Sequence, residues 1–494
     1  MTFRARQTGL QKSDGVRLVM FTDDELVALH LATLETLSHT GVLVEKKEAR
    51  DLFESNGAKV EKNGTVRLST WLIEESIRAA PPRLTLAGRM AYRDCAVESG
   101  RVNFSCFGEG TLYNDPFSSE YRQSTKKDLT EATKIIDALD VIPISRCCVT
   151  SLNVPEPVRP LHNYEAMLNI TAKPVFISPG NGRNLKIILE MARAACGEER
   201  LATAGPPVSF VTSPVSPLRL NEDCCDVIIT AAREDAAVCV LSGAMSGGSA
   251  PINPAGTLVI LNSEVLAGIV LAQLVRKGAK VVYGSSTTAI NLKQATACSG
   301  SPEPAMLNAA VASLAKFYGL PSWVAGGKAD SKLPDAQSGH EKTLTGLLPA
   351  LAGANVIYGL GMMEMGGGFS PEQLLVDADL ASMIHHTIAG FPVNDQTLSL
   401  DLIFENGHRR AFSRHPDTRR NRFILSAPLL IDRRSRIKWQ EDSGGLDIFQ
   451  RAKKLFLELN ADYQGEPLPA EAGARVRSLV TDAEKNLGFA ESRA

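Results

Sequence analysis

The chain has 494 residues, 44% of them hydrophobic and 22% charged, the balance of a globular protein with a large core. Its formal net charge of −2 gives no basis for nucleic-acid binding as a bulk property. The nine cysteines include the adjacent pairs Cys147-Cys148 and Cys224-Cys225 but no C-x-x-C, so they suit neither a zinc ribbon nor a redox motif and point to free thiols in a reducing cytoplasm.

Residues 1–16 are polar, without the apolar stretch of a secretory signal. Thr22 to Glu25 reads as a capping box opening a helix through Leu26, Leu29 and Leu34. A second helix is expected at about 48–54, a strand at 65–68, and a third helix capped by Ser69 and ended by Pro81-Pro82. Residues 1–101 therefore read as a small α+β extension without chemistry of its own.

From Asn103 a rhythm sets in. Short apolar runs stand at 104–107, 142–149, 174–177, 208–211, 237–241, 280–283, 323–325 and 356–358, about 30–45 residues apart, the room a βα unit needs. Helix-length segments lie between them at 127–138, 185–195, 221–233, 257–275, 304–318 and 341–351. Strands that are apolar throughout suit a parallel sheet covered on both faces. Eight such units predict a (β/α)8 TIM-type barrel over 102–375. A doubly wound open sheet is the alternative, disfavoured by the lack of G-x-G-x-x-G after the first strand. The most apolar window, 257–274, carries Asn262, Ser263, Glu264 and Gln273, which makes it a buried helix and not a membrane span. Residues 376–494 read as a helical extension: a helix at 381–390, an arginine-rich segment from Arg409 to Arg436, and an amphipathic helix at 445–459. The arginines suit either an acidic protein partner or a solvated face with local ion pairs.

In such a barrel the C-terminal strand ends carry the site. Here they are rich in Gly and Ser: Phe107-Gly108-Glu109-Gly110, Ser178-Pro179-Gly180, Ser242-Gly243, Gly247-Gly248, Tyr283-Gly284-Ser285, Gly326-Gly327-Lys328 and Tyr358-Gly359. Glycines remove side-chain bulk, so a large flat group can approach the backbone. No P-loop spacing follows Gly327-Lys328, no H-E-x-x-H or histidine cluster offers metal ligands, and no G-x-S-x-G elbow supports a serine nucleophile. Phe107, Tyr283 and Tyr358 offer π faces to a methylated ammonium, or simply fill the top of the barrel. The segment 322–342 is the most polar strand end. Lys328, Asp330 and Asp335 follow its glycines, and Gln337 and His340 lead into the next helix.

These stretches resemble the trimethylamine:corrinoid methyltransferase family. The resemblance covers nearly the whole chain and is carried by Cys106-Phe107-Gly108, Thr212-Ser213-Pro214, Ala244-Met245-Ser246-Gly247-Gly248-Ser249, Gly300-Ser301-Pro302-Glu303 and Ile357-Tyr358-Gly359, among others. It implies a (β/α)8 barrel that moves a methyl group from a methylated amine to the Co(I) centre of a separate corrinoid protein. No cofactor would be held tightly by the chain itself, and the chain is expected to be a cytoplasmic homo-oligomer that meets no nucleic acid or membrane. Lys328, Asp330, Glu303 and His340 are the catalytic candidates. Glu109, Phe107, Tyr283, Tyr358, Asp335 and Gln337 are candidates for holding substrate. Gly247, Gly248, Ser285, Gly326 and Gly327 are candidates for receiving the corrin ring.

At the position matching Lys328, the trimethylamine enzymes carry pyrrolysine, whose electrophilic imine presents the amine. If position 328 stands for that residue, the substrate is trimethylamine, the reading placed first. If it is a plain lysine, the substrate already carries a good leaving group, as in the quaternary ammonium of glycine betaine, whose carboxylate the lysine can pair. A non-catalytic barrel that captures quaternary amines, or an unrelated barrel lyase or hydrolase, are the competing classes.

Overall fold

A computed structural model describes residues 16–408 and 411–489. The polar stretch read for a signal peptide, all but Val16, and Arg409 and Arg410 lie outside the described residues.

The eight apolar runs form eight parallel strands: β1 (Asn103–Cys106), β2 (Ser145–Arg146), β3 (Val175–Ile177), β4 (Val208–Thr212), β5 (Val238–Ser242), β6 (Val281–Ser285), β7 (Ser322–Ala325) and β8 (Val356–Leu360). Each is followed by a helix: α1 (Lys126–Ala138), α2 (Arg159–Leu168), α3 (Gly182–Ala195), α4 (Glu222–Arg233), α5 (Pro254–Val275), α6 (Pro302–Phe317), α7 (Ala336–Ala352) and α8 (Pro371–Ala389). Consecutive strands pair from β2 round to β8, β8 pairs with β1, and a parallel bridge from Ser105 to Ile144 closes the ring. The (β/α)8 barrel is therefore present.

The side-chain period of two decides what each strand residue does. Cys239, Val282, Trp323, Ala325, Val356 and Tyr358 fill the interior. Their neighbours Val240, Val281, Tyr283, Val324 and Ile357 point outward to the helices. The interior also contains Leu84, Leu86, Cys95 and Val97, from a hairpin of Leu84–Leu86 and Cys95–Val97. That hairpin packs with Ala237 and Val356, which lie where strands begin, so it plugs the end of the barrel away from the strand C-termini.

Within the N-terminal section the expected helices appear as Asp23–His39, Lys47–Ser55 and Thr70–Ala79, the first with its Thr22–Glu25 capping box and the third capped by Ser69. The strand Val42–Val44 pairs with Arg219–Leu220 in the loop after β4, which ties this section to the barrel. Helix α2 is absent from the sequence reading. Its approach contains Pro155, Pro157 and Pro160, which punctuate the pattern although proline is tolerated at a helix start.

Helix α5 is long and apolar enough to cross a membrane, and it is buried in the helical layer, with 78% of its most apolar window covered. Its polar residues have specific partners. Asn262 accepts from the Tyr283 hydroxyl at 2.6 Å and donates to Thr33 at 2.9 Å. Glu264 accepts from Ser242, Ser216 and the Leu218 N–H at 2.5–2.9 Å, bracing the ends of β4 and β5.

Helix α8 continues to Ala389, past residue 375 where the sequence reading ends the barrel, and contains the helix expected at 381–390. Short helices follow, then Ile448–Asp462 against α8 and α1, and Ala470–Asn486 against α2 and α3. One carboxylate fastens the intervening segment. Asp379 of α8, 2% exposed, accepts from the backbone N–H groups of Leu429, Leu430 and Ile431 at 2.5–2.8 Å. Replacing it, Asp379→Ala, orphans these donors and should raise proteolytic nicking between 390 and 447 about tenfold, while the barrel fragment stays resistant; limited proteolysis followed by mass spectrometry checks this.

Candidate active site

The lysine loop leaves β7 through two glycines that this backbone path demands. A Cβ on Gly326 would lie 2.6 Å from both Ile357 Cγ2 and the Thr345 carbonyl oxygen. Gly327 has φ of +67°, the left-handed region, and a Cβ there would meet Leu360 Cδ2 at 2.8 Å. Helices α7 and α8 then fix the turn. Lys342 Nζ donates to the Gly327 carbonyl at 3.0 Å and pairs with Asp377 at 2.8 Å, both side chains being fully buried. Asp377 also accepts from the Gly361 N–H at 2.6 Å, beyond β8, and from Gln373 at 2.8 Å. Burial pulls the Lys342 ammonium down from the usual lysine range, and Asp377 works against that. Thr345 Oγ1 accepts from the Lys328 N–H at 3.0 Å.

The loop delivers Lys328 onto an aromatic cluster. Lys328 is 5% exposed, and its Nζ lies 4.9 Å from the ring centre of Tyr358. Tyr358 is 5.9 Å from Trp323, which stacks on Phe176 at 4.2 Å. Arg146 of β2 places its guanidinium 4.6 Å from the Tyr358 ring centre and 6.0 Å from that of Trp323. It crosses Gly108, where a Cβ would collide with Arg146 Nε. Glu109 follows with φ of +64°. Its side chain is exposed to solvent, within the field of Arg146. Burial raises its carboxyl above the ordinary carboxylate range, opposed by the charge of Arg146 and by a hydrogen bond from the Ser178 backbone. A recess beside Lys328 is lined by Thr287, Thr288, Ser299, Asn308, Ala325 and Thr345. Arg146 is absent from the sequence candidates; its signal was a charged residue within the apolar run 142–149.

Of the expected residues, Lys328, Glu109 and Tyr358 meet at this cluster. Phe107 is buried beneath the loop after β8, with its ring 3.6 Å from where Cβ atoms on Gly110 and Gly366 would stand. The remaining candidates have other work. Tyr283 faces outward to Asn262, because it sits on the outer register of β6. Ser285 is fully buried and donates to Asn308 of α6 at 2.9 Å. Asp330 accepts from the backbone of Ser299 at 2.7 Å and from that of Gly300, so it clamps the loop before α6; burial raises its carboxyl, with these bonds opposing. Asp335 caps α7 through the Ser338 N–H at 2.9 Å, a bond that holds its carboxyl below the ordinary range. Gln337 donates to Glu341 on the outer face of α7 at 2.8 Å. His340 is exposed on the same helix, and Glu303 is exposed in the first turn of α6, where it accepts from Ser301 at 2.6 Å. Gly326 and Gly327 are required as glycines by the protein's own packing. Gly247 is also occupied, since a Cβ there would lie 2.7 Å from Ile290. The open position on the rim is Gly243, with nothing within 4 Å of a Cβ; at Gly180, where φ is +77°, only Pro160 Cγ comes near, at 3.9 Å, while a Cβ on Gly248 would meet Met245 Sδ at 2.9 Å.

A sequence profile of the trimethylamine methyltransferase (MTTB) family matches residues 5–488. The chain belongs to this family. It is 43% identical to the trimethylamine methyltransferase MttB of Desulfitobacterium hafniense, over 98% of each chain. It is 27% identical to a glycine betaine methyltransferase of the same species, over 95% of this chain and 98% of that one. A crystal structure of the monomethylamine methyltransferase of Methanosarcina barkeri is similar with a TM-score of 0.48 and 12% identity, covering 92% of this chain and 96% of that one. Members of the family are enzymes that work with corrinoid proteins, which agrees with the resemblance read from the sequence.

Because Lys342 and Asp377 neutralise each other where water is excluded, removing one should cost more than removing both. Asp377→Ala is expected to lower stability by about 3–5 kcal/mol, and the double variant Lys342→Met with Asp377→Leu to recover most of that loss. Denaturant titration of the three proteins measures both.

Proposed function

We propose that the chain transfers a methyl group from trimethylamine to the Co(I) centre of a cognate corrinoid protein, with Lys328 as the residue that meets the amine. The observation that supports this is the placement of Lys328, buried against the ring of Tyr358 at the C-terminal end of the barrel strands. The corrinoid, carried by the partner, supplies the nucleophile that takes the methyl group. The chain's own residues orient the substrate. Tyr358 and Trp323 offer π faces to the methylated nitrogen, and the carboxylate of Glu109 faces its charge. Lys328 and Trp323 are buried, which strengthens the interactions at that end of the site. Gly243, together with the exposed Gly180, leaves room for the ring above. The exposed arginines Arg414, Arg419, Arg420 and Arg422 suit an acidic face of the partner. We place the chain in the cytoplasm, supported by its nine free thiols, and read it as a homo-oligomer, supported by the exposed Phe391, Phe404 and Leu425 beyond α8.

Position 328 decides between two substrates. With the pyrrolysine acyl group on Nζ the cationic ammonium is gone and trimethylamine fits. With a free lysine the substrate is a quaternary ammonium such as glycine betaine, a reading favoured by the cation printed in this sequence. The mass of the peptide containing residue 328, from the native cell, separates them. An acylated residue is expected together with trimethylamine-dependent methylation of Co(I) corrinoid protein, and a plain lysine together with transfer from betaine. Absence of transfer from every amine and betaine would overturn the proposal and leave a binding barrel.

Glu109 gives the pH dependence. Its carboxyl is raised by burial, so it loses its charge as pH falls through a value above the ordinary carboxylate range. The acid limb of kcat/KM should therefore lie above that range. Glu109→Gln should remove this limb and lower kcat/KM about a hundredfold, the loss of ~3 kcal/mol of charge stabilisation.

A further inference from the structure

The residues that would meet the amine are covered. Lys328 is 5% exposed, Tyr358 2% and Trp323 1%, so a methylated amine reaches them only after part of the rim moves. The segment after β8 has the construction of a moving part. It folds back as a hairpin, with Met362–Met363 antiparallel to Gly368–Phe369, and Gly368 and Phe369 pair in parallel with Leu112 and Tyr113 after β1. The hairpin tip crosses between the loop of Lys328 and the loop of Glu109. On one side the Glu364 N–H donates to the Ser331 carbonyl at 2.9 Å, and the Met365 N–H to the Ala329 carbonyl at 3.2 Å. On the other side the Gly367 carbonyl accepts from the N–H groups of Thr111 at 3.3 Å and Leu112 at 3.1 Å.

Both residues that grip the lysine loop are strained. Glu364 has φ of +52° and Met365 φ of +58°, the left-handed region in which a side chain crowds its own backbone. The same hairpin has glycine at 361 and 366, where φ is +81° and +102°, so the two gripping positions are those at which strain is left unrelieved. Consecutive left-handed residues at a hairpin tip are ordinarily Asn-Gly, which adopts them freely. Here the bonds to Ala329 and Ser331 hold a backbone shape that the local sequence resists. Letting go of those two carbonyls relaxes both residues. The other edge of the hairpin stays paired with Leu112 and Tyr113, and the Gly327 turn stays on Lys342 and Asp377. Release therefore costs less than the same two bonds would in a relaxed turn, as a gate requires.

We propose that Glu364 and Met365 form a releasable strap over the amine site. Bonded to Ala329 and Ser331, the tip keeps Lys328 and Tyr358 covered; lifted from them, it admits the substrate. The two residues act on Lys328 through its loop and are positioning residues. The inference rests on the reading of Lys328 as the residue that meets the amine, but its test needs no methyl transfer.

Two readouts on the full chain, with lysine at position 328, follow the strap directly. Hydrogen exchange of peptides spanning 361–368, read by mass, reports the tip amides. Acetylation of Lys328 by acetic anhydride, read on its peptide, reports access to the site. Glu364→Asn with Met365→Gly keeps both N–H groups and removes the strain. It is expected to raise the melting temperature, to slow exchange of the tip amides about tenfold and to slow acetylation of Lys328 by about the same factor. Met365→Pro has no N–H and cannot take a positive φ, so it should speed acetylation about tenfold. A merely structural turn would gain stability in the Asn-Gly variant with no change in access. Acetylation unchanged in both variants, or slowed exchange at the tip without slower acetylation, would overturn the strap. If Met365→Pro does not fold, the Asn-Gly variant decides. Parallel slowing in a protein that transfers no methyl group from any amine or betaine would leave the strap standing and overturn the proposed function.

Discussion

The position of Lys328 depends on an ion pair that never touches the aromatic cluster. Lys342 of α7 and Asp377 of α8 meet in the helical layer, each with a side chain only 1% exposed. Between them they hold the Gly327 carbonyl after β7 and the Gly361 N–H after β8. Two strand ends are thus tied to one charge pair. A buried pair of this kind adds little net stability, since desolvation offsets attraction. Its contribution is geometric: the glycine turns that aim Lys328 can take only the path on which both partners are satisfied. Asp330 and Glu341 extend the same logic outward. Asp330 binds the backbone before α6, while Glu341 accepts from the Asp330 N–H at 2.7 Å. The acidic residues that surround the lysine in sequence hold its loop in place, and Glu109, two strands round the barrel at the end of β1, is the carboxylate left for a substrate role.

The barrel was legible because its signal is repetitive. Eight apolar runs at regular spacing leave few other folds, and each run became a strand. The site was legible only in part, and the failures share a cause. Tyr283 and Tyr358 look alike as aromatic residues at strand ends, yet one points out to Asn262 and the other in to Trp323. A shift of one residue in register exchanges these fates, and the edges of an apolar run do not define register. Proximity in sequence to Lys328 also misled. His340, Gln337 and Asp335 follow it closely, but a helix turns 100° per residue and begins at a cap, so these residues became cap and solvent face. Arg146 was passed over because it lies in a run read as plain core. A charge inside a fully buried strand is costly enough to be informative, and that cost was the available signal.

The rim glycines divide by the same physical test. Where a Cβ would strike the protein's own atoms, as at Gly326 or Gly247, glycine is required by packing. Where a Cβ would meet nothing, as at Gly243, packing gives no reason for glycine, and its smallness benefits whatever approaches from outside. The composition of the rim alone does not distinguish these cases, although both contribute to its glycine-rich appearance.

Charge sets the final constraint on the substrate. Lys328 and Arg146 place two cationic groups about the Tyr358 ring, and Glu109 supplies one carboxyl. Another positive charge about 4 Å from one of them costs ~4 kcal/mol at an effective dielectric of about 20, more than the ~2 kcal/mol that an aromatic face returns. A protonated trimethylamine therefore gains little from this site while Lys328 remains an ammonium. Two changes remove the conflict. Acylation of Nζ takes away a charge from the protein, and a carboxylate on the substrate would add a compensating one. They answer the same electrostatic problem from opposite sides, so the charge of one group would decide between a tertiary amine and a betaine.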